Sequence, residues 1–390
     1  MVTLIIGALP RSLVHFRGPL IKAMLAKGLK VFAAANGRDK KTQAQLLAMG
    51  VEYYPIRIAR AGMNPFADVV TLFDLIRLMR RVRPDVVLSY TIKPVIWGGF
   101  AARLCGVQQV FSLIEGLGRA FLPWESFAHM ISTIVAKGLY RMSSLGSTRV
   151  FFLNPDDLNQ FVKEGYIPER KAVLLNGIGI DLTYYAKEQF FDPSRVRFLM
   201  IARLLKDKGV REYVEAAKII RARYGNVKFV LAGDLDENPS SIKQTELDMW
   251  RRDGIIECVG YLDDVRPFIR DCGVYVLPSY YREGTPRTIL EAMATGRAII
   301  TTDAPGCRET VPLTETGRRQ RAGGESVMEG ENGFMVRPRD AEAVAAAMRA
   351  FLDNPALILR MGQRSREIAV GKYDVHKVNA VMMEAMGFGK

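Results

Sequence analysis

Residues 274–295 read VYVLPSYYREGTPRTILEAMAT. The apolar run 274–277 has the length and composition of a buried strand. A short loop carrying Glu283 follows, and a helix begins near Thr285–Pro286, since proline suits a first helical turn, where its missing N–H costs nothing. Strand, loop and helix in quick succession form one step of a parallel α/β sheet.

The same step recurs along the chain. Residues 2–6, 31–35, 86–88, 110–114 and 150–153 read as buried strands, with helical patterns at 19–27, 66–83 and 94–105. A second series follows, with strands at 197–201, 227–232, 255–259, 274–277 and 298–302. Its helices are expected at 210–223, 240–252, 265–270 and 285–295. The alternation predicts an α/β protein of two doubly wound parallel-sheet (Rossmann-like) domains facing across a cleft. A chain of 390 residues suits two such domains. They are expected at 1–185 and 195–372, and residues 373–390 form a C-terminal helix that can cross back to the first. Residues 314–326, TETGRRQRAGGES, read as an inserted, mobile basic loop.

Three segments carry chemistry. In the first, the helix begins near Thr285–Pro286, and the free amides of Arg287, Thr288 and Ile289 with the helix dipole suit an anion. Glu283 and Glu291, eight residues apart, fall on roughly one side. Unaided, they also read as a loop carboxylate and a helix-surface carboxylate. In the second segment, FLMIARLLKDKG (198–209), Arg203 and Lys208 follow a strand, where a guanidinium fork and a point charge suit a diphosphate. In the third, VLAGDLDENPSS (230–241), Gly233 makes a turn, and Asp234 and Asp236 read as a turn and cap rather than as a metal-binding pair.

Together these segments resemble the retaining glycosyltransferases of family 4, which have the GT-B fold. The family's Glu-x7-Glu motif appears as Glu283 and Glu291, and its Arg-x4-Lys pair as Arg203 and Lys208. The flanks LPSYYREGTP, ILEAMATGRAIITTDAPGCRETV and ENGFMVRPRDAEAVA follow the family as well. The resemblance implies that Arg203 and Lys208 neutralise the diphosphate of a UDP-sugar and that Glu291 binds the ribose. It gives Glu283 the sugar hydroxyls, with the backbone of Gly284, Thr285, Pro286 and Arg287 alongside, and Gly260 and Tyr261 the base. No metal or other cofactor is implied. One departure stands out: where members often carry a histidine after the fifth strand, this chain has Glu115. The stretches HFRGPLIKA, IEGLG and DENPSS resemble the N-acetylgalactosaminyltransferase-like subgroup, which extends undecaprenyl-diphosphate-linked sugars. In that reading Glu115 serves catalysis; otherwise it is a strand-end carboxylate capping a glycine turn. Arg11, His15, Arg17 and Lys93 are the candidates for acceptor phosphate.

Charge supports an anionic partner. The chain carries a net +14, and residues 1–190 hold 24 basic against 13 acidic side chains. A polyprenyl-diphosphate-linked acceptor at an anionic membrane surface accounts for that excess; no motif points to nucleic acid. The apolar stripe of 121–145, with Trp124 at one end and Lys137 and Arg141 near the other, suits either a core or a bilayer interface. No run is long enough to span a membrane. Four scattered cysteines and three histidines give no disulfide framework or metal cluster. The expected setting is the cytoplasm, at the inner face of the membrane. Open alternatives are a UDP-sugar 2-epimerase of the same architecture, a hexosyltransferase with a non-lipid acceptor and a basic scaffold without catalysis.

Overall fold

In a computed structural model covering residues 1–59, 64–117, 127–187 and 196–389, the chain divides into two compact units. Unit 1 holds Met1–Ile178 and Val375–Lys390, and unit 2 holds Gly179–Asp374.

Unit 1 begins β1 (Val2–Ile6), α1 (Pro10–His15), α2 (Gly18–Ala26), β2 (Lys30–Asn36), α3 (Lys40–Ala48) and β3 (Glu52–Ile56). It continues with α4 (Pro65–Val82), β4 (Val86–Tyr90), α5 (Ile92–Leu104), β5 (Gln109–Ile114) and α6 (Phe127–Leu145). It closes with β6 (Arg149–Phe152), α7 (Pro155–Lys163) and β7 (Ala172–Leu174). The seven strands form a parallel sheet in the order β3-β2-β1-β4-β5-β6-β7. Its central strands are buried from end to end, so they read as continuous apolar runs rather than as alternation.

Unit 2 repeats the design with β8 (Arg197–Ile201), α8 (Val210–Arg221), β9 (Lys228–Ala232), α9 (Gln244–Asp253) and β10 (Glu257–Gly260). Next come α10 (Arg266–Asp271), β11 (Val274–Leu277), α11 (Arg287–Thr295), β12 (Ala298–Thr302) and α12 (Glu315–Ala322). Strands β13 (Val327–Glu329) and β14 (Gly333–Val336) form an antiparallel hairpin, followed by α13 (Ala341–Asp353) and α14 (Ala356–Lys372). The order is β10-β9-β8-β11-β12-β14-β13. Helix α15 (Val375–Ala385) belongs to unit 1, where Val378, Met382 and Met383 join the core beside α2.

Two expectations need correction. The boundary falls at 178/179 rather than near 185, because the segment after Ile178 is bound into unit 2. There the Ile180 amide donates to the Tyr373 carbonyl at 2.8 Å, and Arg366 donates to the carbonyls of Tyr185 and Ala294. The basic stretch 314–326 is not a loose loop. Thr314 caps α12 by accepting from the Gly317 amide, Arg321 pairs with Asp303 at 2.9 Å, and the helix packs on β13. Residues 121–126 of the expected stripe and 188–194 of the expected linker lie outside the described residues.

Candidate active site

In each sheet the strand order reverses beside its first strand, so loops leaving neighbouring strands go to opposite faces and open a crevice. In unit 2 this point lies between β8 and β11. The loop after β8 carries Arg203 and Lys208; the loop after β11 carries Glu283. They meet directly: Lys208 Nζ pairs with Glu283 Oε1, with both side chains largely buried. Ser279 Oγ donates to the same oxygen at 3.0 Å, and the Lys208 ammonium lies 5.2 Å from the centre of the Tyr281 ring.

The two loops are also joined through backbone. The amides of Tyr280 and Tyr281 both donate to the Asp207 carbonyl at 2.9 Å, and Ser279 Oγ donates to it at 3.2 Å. Thr302 Oγ1 donates to the Ser279 carbonyl from β12. Gly306, at φ +77°, presses on the same segment: a Cβ there would sit 2.4 Å from the Gly284 carbonyl oxygen. Only glycine fits that approach. Buried beside Glu283, the Cys307 thiol is pushed up to about 12, which keeps it protonated and inert.

Arg203 is more open. Its Nη1 donates to Asp236 at 3.0 Å, with 39% of the arginine side chain exposed. Asp236 also accepts from the Asn238 amide at 3.0 Å, the turn expected of this aspartate. Both cations of the pair therefore hold carboxylates.

Helix α11 starts at Arg287 with Pro286 as its cap residue. Gly284, Thr285 and Pro286 are buried around this end. The Ile289 amide donates to the Pro286 carbonyl at 3.1 Å and its side chain is in the core, so it is not one of the anion-facing amides. Arg287 and Thr288 hold the first turn. One turn on, Glu291 is buried and accepts at Oε1 from Arg287 Nε at 2.9 Å and from the Tyr185 hydroxyl at 2.8 Å.

Gly233 and Gly260 end neighbouring strands, where the Gly233 amide donates to the Gly260 carbonyl at 2.8 Å. Gly233 has φ +143°, and a Cβ there would lie 1.8 Å from the Ala202 carbonyl oxygen. That contact alone explains the glycine. Tyr261, next along, is 54% exposed.

Unit 1 has its own cluster at the reversal between β1 and β4. Arg17, 3% exposed, donates through Nη2 to Glu115 at the end of β5 and stacks over the Tyr90 ring at 4.8 Å. The Tyr90 hydroxyl hydrogen-bonds Ser12 Oγ at 2.7 Å, and a Cβ on Gly7 would collide with that hydroxyl. Burial raises the Glu115 carboxyl above the ordinary carboxylate range, with the Arg17 charge opposing it. Of the other acceptor candidates, Arg11 and His15 are exposed on α1, while Lys93 is buried in an ion pair with Asp68 at 2.8 Å. That pairing commits Lys93 to joining α5 and α4.

This arrangement agrees with the comparison of the whole chain. A family model described as "Glycosyl transferases group 1" matches residues 195–354, and one described as "Glycosyl transferase 4-like" matches residues 11–149. The chain is a glycosyltransferase. The transferase is 28% identical, over 93% of its length and 92% of the relative's, to N,N'-diacetylbacillosaminyl-diphospho-undecaprenol alpha-1,3-N-acetylgalactosaminyltransferase of Campylobacter jejuni. It is 30% identical to the UDP-Gal:alpha-D-GlcNAc-diphosphoundecaprenol alpha-1,3-galactosyltransferase of Escherichia coli, over 61% of this chain and 63% of that one. Its fold matches Anabaena Alr3699/HepE, solved in complex with UDP-glucose, with a TM-score of 0.74 at 16% identity over 99% of both chains. Sucrose-phosphate synthase from Thermosynechococcus elongatus matches with a TM-score of 0.75 at 15% identity over 98% of both.

Sequence reasoning did not find Tyr185, Ser279 or Tyr90. Tyr185 stands 106 residues from Glu291 and outside any motif, and Ser279 is a common loop residue. Tyr90 carried one weak signal, a polar-tipped aromatic at the carboxyl end of a buried strand.

Proposed function

We propose that this glycosyltransferase moves a sugar, an N-acetylhexosamine, from a UDP-sugar to a sugar already linked to undecaprenyl diphosphate, with retention at the anomeric carbon. The observation that carries this reading is the match along almost the entire chain to the Campylobacter jejuni enzyme, whose name states such an acceptor. The Escherichia coli relative, named for the same lipid carrier, supports it.

Unit 2 takes the donor. Arg203 and Lys208 leave their carboxylates for the diphosphate, Glu291 takes the ribose hydroxyls, and Glu283 with the Gly284 backbone takes the sugar. As the bond from C1 to the diphosphate oxygen breaks, charge grows on that oxygen, and two fixed cations stabilise it. The acceptor hydroxyl forms its bond to C1 on the face that the diphosphate leaves, and its proton passes to a diphosphate oxygen. No separate base and no metal ion are needed. In unit 1, Arg11 and His15 meet the acceptor's phosphates, and Arg17 holds Glu115 towards its sugar. The enzyme works in the cytoplasm, at the inner face of an anionic membrane.

A screen of UDP-hexoses and UDP-N-acetylhexosamines against lipid-diphosphate saccharides, read by mass and by the anomeric coupling of the product, tests this. The expected result is one added N-acetylhexosamine, α-linked, undiminished by a chelator. Epimerised UDP-sugar with no transfer to any acceptor contradicts it.

A further inference from the structure

Helix α4 has two unlike faces. Thr71, Leu75, Leu78 and Met79 turn inward, while Phe66, Val69 and Phe73 are 86, 48 and 66% exposed. Spacings of three and four put the exposed three on one stripe, and its next positions are the exposed arginines Arg77 and Arg80. The stripe is thus apolar in its first two turns and cationic in its last two. Helix α6 repeats the division. Thr133 and Tyr140 are buried, whereas Ile134, Val135 and Met142 are 56, 45 and 56% exposed, with exposed Arg141 among them. Helix α5 packs against both.

Soluble proteins rarely leave so many large apolar side chains open on neighbouring elements. The charges beside them say what covers them. Helices α5 and α6 contain no acidic residue, and the two of α4 are both committed, Asp68 to Lys93 and Asp74 to Arg57. A second copy of the chain would set arginine against arginine with no carboxylate to offset it. An anionic bilayer matches both halves of the pattern.

We propose that the outer surface of α4 and α6 docks unit 1 on an anionic lipid bilayer. Phe66 and Phe73 enter the interface, and Arg77, Arg80 and Arg141 meet the headgroup phosphates. The inference rests on the lipid-linked acceptor proposed above.

The test compares wild type with Phe66→Ser/Phe73→Ser, both exposed positions, by cosedimentation with phosphatidylcholine vesicles with and without phosphatidylglycerol. Transfer is measured in parallel on a vesicle-embedded acceptor and on a short-chain, water-soluble one. The variant is expected to bind phosphatidylglycerol vesicles at least about tenfold more weakly, as two buried phenyl groups are lost. It should lose transfer to the embedded acceptor in proportion and keep wild-type kinetics on the short-chain one. Arg77→Gln/Arg80→Gln should weaken binding only where phosphatidylglycerol is present. Unchanged vesicle binding by the phenylalanine variant overturns the surface and leaves the acceptor reading standing, as does wild type that uses the short-chain acceptor but binds no vesicle. A wild-type dimer that the variant converts to monomers, with vesicle binding kept, also overturns it. Wild type that transfers to neither acceptor overturns the functional reading itself.

Discussion

The hydroxyl of Tyr185 donates to Glu291 Oε1 at 2.8 Å, joining the segment that enters unit 2 to the carboxylate of α11. Arg287 donates to the same oxygen, so both bonds fall on Oε1. Tyr185→Phe keeps the ring and removes one bond to a charged acceptor. UDP should bind about three- to tenfold more weakly, with the donor KM raised more than kcat is lowered. Burial and the Glu291 charge raise the Tyr185 phenol well above its ordinary range, so it stays a donor and the loss should not vary with pH. Calorimetric titration with UDP checks this; equal affinity in the variant removes Tyr185 from the site.

In the proposed reaction Asp236 competes with the donor for Arg203. Asp236→Asn keeps an oxygen for the Asn238 amide and removes the charge that holds the guanidinium. A partly exposed pair of this kind holds its partner by about 1 kcal/mol or less, so UDP affinity should rise about two- to fivefold. Weaker binding would assign Asp236 to the donor site rather than against it.

Glu115 gives a signed pH dependence. Burial raises its carboxyl, so between the ordinary value of 4.5 and the raised folded value the folded state holds a proton that the unfolded state has released. Stability contributed by this group is full below that interval and falls as pH rises through it. Glu115→Gln should flatten this part of the curve, measured as denaturant midpoints at successive pH values. Parallel curves for the two proteins would place the titration elsewhere.

Gly233 separates packing from ligand contact. Its Cβ would meet the Ala202 carbonyl, so Gly233→Ala should cost more than about 1 kcal/mol and lower the thermal midpoint. A variant of full thermal stability that fails to bind UDP would return Gly233 to the donor contacts.

The buried strands were legible because burial on both faces leaves an uninterrupted apolar run: 2–6, 197–201, 274–277 and 298–302 match β1, β8, β11 and β12 end for end. Edge elements were not. Strand β3, EYYPI, has a proline and only one buried residue; β7 and β13 are three residues long and half exposed. Strand β14 is buried but short, and it opens on Gly333, which a strand pattern does not announce. In the site, residues in motifs were legible and their partners were not. Arg203, Lys208 and Glu283 lie in the loops that leave β8 and β11, and Glu291 lies one turn into α11. Tyr185 and Asp236 are set by tertiary approach, and Lys93, a cation in the first turn of α5, was drawn off by Asp68.

In the proposed reaction Arg203 and Lys208 stabilise a leaving diphosphate. The measurement that decides this is kcat/KM for transfer by Arg203→Ala/Lys208→Ala, alongside the thermal midpoint. A loss of at least about a thousandfold is expected, since one such electrostatic contact is worth about a hundred- to a thousandfold, with the midpoint little changed. Transfer near the wild-type rate by a folded double variant would contradict it.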